Sequence, residues 1–275
     1  MSRQRSDEEI QVLLHAHISA RDFPSAVYLV AERGQVIFEK ALGDAVREPV
    51  QVRAETETIY DLASLTKPLV TGLLCAKLSD RGVMNFDHEI ARYLPEFARN
   101  DKRSITIKQL LTHTSGLAPW LPLRALTNDV RERALEVIAS HSLSAEGNSR
   151  VVYSDLGFII LGFLLERLTN SLFAALADAE IFTPLGLRNT YFNPPRARRP
   201  HIAASETGNV YEDEMARRDY LTAATSGRVR REEVIWGEVH DGNAYFLGGA
   251  ARPCGPLLEC IGNAAPSRAI HCGAN

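Results

Sequence analysis

An extended run, Thr58 to Leu62, passes into an apolar helical stretch, Leu65 to Leu78, through the four residues Ser64-Leu65-Thr66-Lys67. That junction constrains the fold more than any other stretch. It sets the end of a strand-like segment, the start of a helix, and the direction in which two reactive side chains leave it. Residues i and i+3 share a helix face, so the Lys67 ammonium reaches the Ser64 hydroxyl. A serine hydroxyl attacks poorly until a neighbour takes its proton, and a partly desolvated lysine serves that purpose. The start of a helix adds unpaired N–H groups and partial positive charge beside a developing oxyanion. Taken singly, the same pair also fits an ordinary helix start, with serine as cap and lysine as solvated charge.

Around this junction the pattern predicts an α+β chain. Ser6 to Glu9 reads as a capping box, with Ile10, Leu13, Leu14 and His17 following at helical spacing. Two alternating runs, Ala26–Ala31 and Val36–Ala41, flank Glu32-Arg33-Gly34-Gln35 and predict a β-hairpin turned at the glycine. The Ser64 helix should end at Gly82. Residues 83–103 read as irregular connection, punctuated by Asp87, Pro95 and Asn100-Asp101. Thr106 should cap a short helix from Ile107 to His113, and Asn128 or Asp129 a helix through Ile138. A long apolar helix should begin at Ser154-Asp155 and run to Thr169, with more helix from Leu172 to Phe182. An antiparallel pair followed by a helix-rich centre argues against alternating βαβ units, and no repeat recurs at a fixed period.

Composition excludes several classes. At 275 residues, 45% hydrophobic and 24% charged, the chain has the length and apolar content for a large core. A net charge of −3 gives no general attraction for nucleic acid or anionic membrane. The basic clusters Arg196–Arg199 and Arg228–Arg231 carry no interleaved aromatics and read as solvated loops. The N-terminus has no apolar signal region, and the most hydrophobic stretch, Leu156 to Leu165, is interrupted by Gly157 and Gly162 and closed by Glu166-Arg167. The expectation is a cytoplasmic protein without a membrane partner. Cys75 reads as a small buried apolar residue. Cys254, Cys260 and Cys272 lack paired zinc spacing and form no closed disulfide set.

Two further features carry chemistry. Tyr153-Ser154-Asp155 heads the apolar helix, and a tyrosine hydroxyl can exchange a proton with a serine when a nearby cation favours its ionised form. Lys67 would be that cation. Leu110 to Gly116 ends a helix tightly, with His113 read as holding the turn rather than as a catalytic base.

Together, Ala63-Ser64-Leu65-Thr66-Lys67, Leu110 to Gly116, Tyr153 to Gly157 and Pro184 to Tyr191 resemble the serine β-lactamase-related superfamily: class C β-lactamases, D-alanyl-D-alanine carboxypeptidases and related esterases. The likeness runs from about residue 20 to about 249. It implies an antiparallel sheet flanked by terminal helices, an all-helical lobe beside it, and an active site between the two. Residues 1–249 would form this domain, with 20–62 contributing to the sheet and 64–200 mainly to the helical lobe. By match of motif, Ser64 resembles the acylated nucleophile, Lys67 its activating partner and Tyr153 the proton shuttle. Asp155 stands where many relatives carry asparagine. An aspartate there is expected to pair with Lys67 as an ion, holding the lysine protonated and weakening it as a base. That departure bears on β-lactam specificity more than on hydrolysis. His240 and Asp241 are candidates to line the cleft, or to form a hydrogen-bonded loop pair; Trp120 and Trp236 fit either cleft wall or core.

The family also carries a K-T-G or H-T-G triplet on an inner strand, one of whose N–H groups completes the oxyanion hole. No such triplet stands downstream of Tyr153; Thr225-Ser226-Gly227 is similar in form but lies in Arg-rich surroundings. Losing one oxyanion donor costs roughly 10²–10³ in rate at comparable sites. After Gly249 the composition turns Gly-, Ala-, Pro- and Cys-rich without alternation or a helical face, which predicts a poorly ordered tail over 250–275 and a sheet left incomplete. A reading-frame change or truncation near Gly249 is the expected cause of the break; translation of the coding DNA in the other two frames tests it.

The resulting expectation is a serine hydrolase that acylates Ser64 with an ester, amide or lactam carbonyl of a small-molecule or peptide-like substrate. It needs no metal or organic cofactor. The alternative is a non-catalytic remnant or ligand-binding pseudoenzyme. The sequence leaves the natural substrate and oligomeric state open.

Overall fold

A computed structural model describes residues 3–98, 100–221 and 231–248. Helix α1 (Arg3–Ala20) precedes a hairpin of β1 (Ser25–Glu32) and β2 (Gln35–Val46), and the two-residue β3 (Val52–Arg53) joins β2 to complete an antiparallel sheet ordered β1-β2-β3. The hairpin closes by pairing Glu32 with Gln35, with Arg33 at φ 50° and Gly34 at φ 79° between them. Two successive left-handed residues match the right-handed twist of the strands, as expected for a two-residue turn. α1 is tied to this sheet by Asp7, which accepts from the Tyr28 hydroxyl at 2.6 Å and pairs with Lys40 at 2.9 Å. Burial and the Asp7 carboxylate push the Tyr28 phenol up to about 12, so the tie persists across neutral pH.

The chain then becomes helical: α2 (Leu73–Asp80), α3 (Ile107–Leu111), α4 (Leu123–Leu126), α5 (Ala134–Ser140), α6 (Asp155–Thr169), α7 (Phe173–Ala177), α8 (Thr183–Leu185), α9 (Val210–Asp219) and α10 (Gly242–Phe246). α6 is the axis of this block. Every residue from Leu156 to Leu165 is buried, so the helix is apolar all round because other elements surround it. Leu74, Cys75 and Leu78 of α2, Ile107 and Leu110 of α3, and Phe173 of α7 belong to the same core cluster. Each buried side chain of this kind contributes about 1.5–3 kcal/mol. Among the described residues no single helix is long and apolar enough to cross a membrane.

Ser154 sets the start of α6 as the sequence implies: its hydroxyl accepts from the Gly157 N–H at 3.4 Å and donates to the Ala118 carbonyl at 2.7 Å. Thr106 likewise caps α3, with Gln109 completing a reciprocal capping box. Gly82, at φ 71°, ends α2, and the Val83 N–H returns to the Leu78 carbonyl at 2.9 Å.

Other boundaries differ from expectation. Ser6 lies inside α1 rather than at its cap, because the helix already runs from Arg3; the Arg5–Glu9 ion pair at 3.0 Å spans that turn. Asn128 and Asp129 cap nothing: both adopt left-handed backbone (φ 53° and 63°), and a 3₁₀ turn (Arg131–Arg133) intervenes before α5. Short polar side chains tolerate that conformation, which makes them turn formers here. α3 stops at Leu111, since His113 is itself left-handed at φ 57°. The helix expected over 65–78 is three geometries in succession: a 3₁₀ turn (Ala63–Leu65), a π turn (Lys67–Gly72) and α2. Pro68, at the start of the π turn, has no N–H to give the preceding turn. The stretch over 172–182 likewise divides, with a π turn (Asp178–Phe182) between α7 and α8. The described part of residues 83–103 holds short 3₁₀ turns, including Ile90–Arg92 and Pro95–Ala98, and a single bridge from Glu89 to Thr106.

Cys75 is fully buried, and burial pushes its thiol up to about 12. Trp236 donates to the Ile202 carbonyl at 2.7 Å beneath the Arg199 guanidinium, 4.5 Å from its ring. One basic cluster is therefore partly occupied in packing. Thr225-Ser226-Gly227, most of the second basic cluster, and residues 249–275, with the tail and its three cysteines, lie outside the described residues.

Candidate active site

The Ser64 turn is built by its neighbours. The Asp61 carboxylate accepts from the Ala63 N–H at 2.8 Å and, through its other oxygen, from the His240 N–H at 3.1 Å. Ala63 itself sits at φ 44°, a left-handed position that costs a non-glycine residue about 1 kcal/mol or more. The sharp turn leaves Ser64 exposed at the start of the helical segment while Thr66 and Lys67 turn inward.

Lys67 is 8% exposed, and its Nζ donates to the Ser64 hydroxyl at 2.9 Å. The same ammonium lies 2.8 Å from Asp155 Oδ1. Asp155 is the first residue of α6, where the helix N-terminus favours a negative charge. Two aromatic faces complete the cation's surroundings, with Tyr153 and Phe158 centroids 5.2 and 5.9 Å from Nζ. A buried lysine is costly unless paired, and here a carboxylate, a hydroxyl and two rings share that role. The ion pair expected from Asp155 is present.

Tyr153 is 50% exposed and stacks on His113, with ring centroids 4.5 Å apart. His113 Nδ1 accepts from the Ser154 N–H at 3.1 Å, which assigns the ring proton to Nε2. Burial and the Lys67 charge hold His113 below its ordinary range, so the imidazole is neutral at neutral pH. It supports the turn and the Tyr153 ring. Gly116 closes that turn at φ 78°, so close to the Ala145 carbonyl that a Cβ would collide with it.

A cleft of about 310 Å³ opens over Ser64 and Lys67. Trp120, Asp155, His240 and Asp241 line it, together with Tyr211, Glu212 and Met215 of α9. His240 and Asp241 thus face the cleft, but they do not pair with each other. His240 Nε2 lies 2.6 Å from Glu206, and Asp241 caps α10 by accepting from Ala244 N–H at 2.6 Å. Burial, then the Glu212 carboxylate, pushes Asp241 up to about 7. Asp61 is also raised, chiefly by burial and despite its two N–H donors.

Sequence reasoning missed Asp61, Tyr211, Glu212 and Met215. Only Asp61 carried a local signal: an aspartate accepting from the N–H two residues on is an Asx turn, a common device where the chain reverses. The α9 residues reach the cleft through tertiary packing alone.

The Beta-lactamase family profile matches residues 10–251. A protein named "Putative D-alanyl-D-alanine carboxypeptidase" from Escherichia coli (strain K12) is 32% identical over 254 residues, covering 85% of this chain and 56% of that protein. The chain therefore spans about half the length of the curated relatives it matches. Among solved structures, a class C beta lactamase aligns with TM-score 0.66 at 18% identity over 75% of this chain and 56% of its own. EstCE1, a hydrolase with promiscuous acyltransferase activity, aligns with TM-score 0.63 at 26% identity over 74% of this chain and 56% of its own.

Proposed function

Since the chain belongs to the Beta-lactamase family, we propose that it is a serine hydrolase working through an acyl-enzyme on Ser64. The observation that carries this reading is the 2.9 Å hydrogen bond from the buried Lys67 ammonium to the exposed Ser64 hydroxyl. In this reading Tyr153 acts as the base: Ser64 Oγ attacks an ester, amide or lactam carbonyl and its proton passes to the tyrosine oxygen, with the Lys67 ammonium 5.2 Å from the Tyr153 ring centroid. The Ser64 N–H, at the mouth of the helical turn, donates to the developing oxyanion. The tetrahedral intermediate collapses, the C–O or C–N bond breaks, and the leaving group takes the proton held by Tyr153. A water then attacks the acyl carbonyl, gives one proton to Tyr153, and the proton returns to Ser64 as the acid departs. The Lys67–Asp155 ion pair supports a lysine that acts as a fixed cation rather than as the principal base, which puts the proton traffic on Tyr153. Small-molecule or peptide-like acyl donors fit a cleft of this size.

The test is intact mass after incubation with a fluorophosphonate, together with burst kinetics on a chromogenic ester. A single adduct on Ser64, lost in Ser64→Ala, is expected. No adduct after long incubation, or equal turnover by Ser64→Ala, overturns the assignment and leaves a ligand-binding protein of the same fold.

A further inference from the structure

The cleft beside Ser64 carries an uneven charge. Four carboxylates line it: Asp61, Asp155, Glu212 and Asp241. Among the described residues that line it, Lys67 is the cationic side chain, and Asp155 is 2.8 Å away. The nearby Arg231 guanidinium donates to the carbonyls of Val239 and His240 and lies over the Tyr245 ring, 4.8 Å from its centroid; its charge partly offsets the Asp61 carboxylate. Its side chain lines an adjoining small cavity that shares Trp120 and Glu212 with the cleft. The His240 ring is engaged with Glu206. The carboxylates feel one another: after burial, Glu212 and then Asp155 contribute to the rise at Asp241. Coulomb energy between partly buried charges is large enough to survive moderate salt, so this crowding describes a negative potential at the place a substrate must occupy.

A second, independent feature points the same way. Two aromatic rings, Trp120 and the exposed Tyr211, line the same cleft as the acidic groups, together with Met215. Rings and carboxylates together are the chemistry that holds organic cations, since the ring face attracts what the carboxylate attracts. A substrate ending in a carboxylate meets the opposite field, chiefly that of Glu212, since Asp155 is paired with Lys67 and Asp241 is raised to about 7.

Resting on the reading that Ser64 is the nucleophile, we propose that the acyl donor this cleft selects carries a positively charged ammonium group, and that carboxylate-terminated donors are rejected. The positive group sits between Trp120, Tyr211 and the Glu212–Asp241 side of the cleft, with the carbonyl over Ser64. Ammonium-bearing esters or amides, including those of amino acids with a free amine, are the substrate class.

The experiment compares three 4-nitrophenyl esters of one chain length, ending in trimethylammonium, tert-butyl or carboxylate. The first two groups share a shape and differ in charge. At low salt, kcat/KM should fall in that order, with about tenfold between the ammonium and tert-butyl esters. The gap should narrow near 1 M salt, where the screening length drops to about 3 Å. In Glu212→Gln the ammonium-to-tert-butyl ratio should drop roughly threefold, a ratio taken within one folded sample and so insensitive to its activity. A carboxylate ester hydrolysed as fast as the tert-butyl ester, or a ratio indifferent to both salt and Glu212→Gln, overturns the proposal. Should no ester turn over, the Ser64 reading fails while the charge selection is still decided by binding. Phenyltrimethylammonium should saturably perturb Trp120 fluorescence in a Trp236→Phe background, and benzoate should not; equal responses overturn it.

Discussion

The interior around α6 and the cleft at its N-terminal end share a helix and follow opposite rules. Along Leu156–Leu165 the chain buries apolar side chains against apolar neighbours, and the backbone is regular. At the helix N-terminus the fold gathers a buried ammonium against a carboxylate, two acids raised by burial, and a left-handed alanine. The first region stabilises the molecule. The second stores strain and unfavourable charge at one place, which a fold tolerates where the surrounding packing over-determines the geometry. α6 links them: its apolar body anchors the helix, and its first residue presents Asp155 to Lys67.

Substitutions separate the two regions, beginning with the largest effect. Ser64→Ala should lower ester turnover by roughly 10⁴-fold or more while leaving the thermal transition in place, as single-turnover kinetics and calorimetry would register. Retained turnover would break the division outright. Leu164→Ala should do the reverse, costing about 2–5 kcal/mol of stability in urea titration with kcat nearly unchanged in the folded fraction. A large fall in kcat without loss of stability would show that the core reaches into the chemistry.

Asp155→Asn sharpens the comparison. Removing the carboxylate beside Lys67 should move the acid limb of the kcat/KM profile to lower pH by roughly one unit. An unmoved limb would mean that the ion pair does not govern proton transfer. The smallest effect is expected at Asp241, whose ordinary value of 3.8 rises to about 7 on folding. Between those values the folded chain holds a proton that the unfolded chain has released. Stability therefore falls as pH rises through that window and stays lower above it. Asparagine keeps the cap on α10 and abolishes the titration. Asp241→Asn should match the parent near pH 4 and melt ~2–4 °C higher at pH 8, and a pH-independent difference would remove Asp241 from this account.

What could be read from the sequence follows the same division. The limits of α6 were legible because Ser154 caps it and apolar residues fill it. The hairpin was legible because Gly34 interrupts two alternating runs. Ser64 and Lys67 were legible because three residues of separation on a helix is a local fact. Ala63 at φ 44° was not, since alanine gives no sign of a left-handed backbone. Asn128 and Asp129 misled because one chemistry serves both caps and turns. Glu212 and Tyr211 join Ser64 in the cleft across nearly 150 positions, and nothing in α9 itself announces that approach. Locally determined geometry could be read; geometry imposed by packing could not.

The Asp61 carboxylate spans 179 residues of chain to reach the His240 N–H. A ribosome adding 5–20 residues per second needs roughly ten to forty seconds to deliver the second partner after the first. The apolar bundle has most of its parts well before then, so the nascent protein acquires an interior long before the Ser64 turn is fully braced. Closure of that turn is thus a late event in the life of each molecule, timed by the arrival of a single amide near the far end of the described fold.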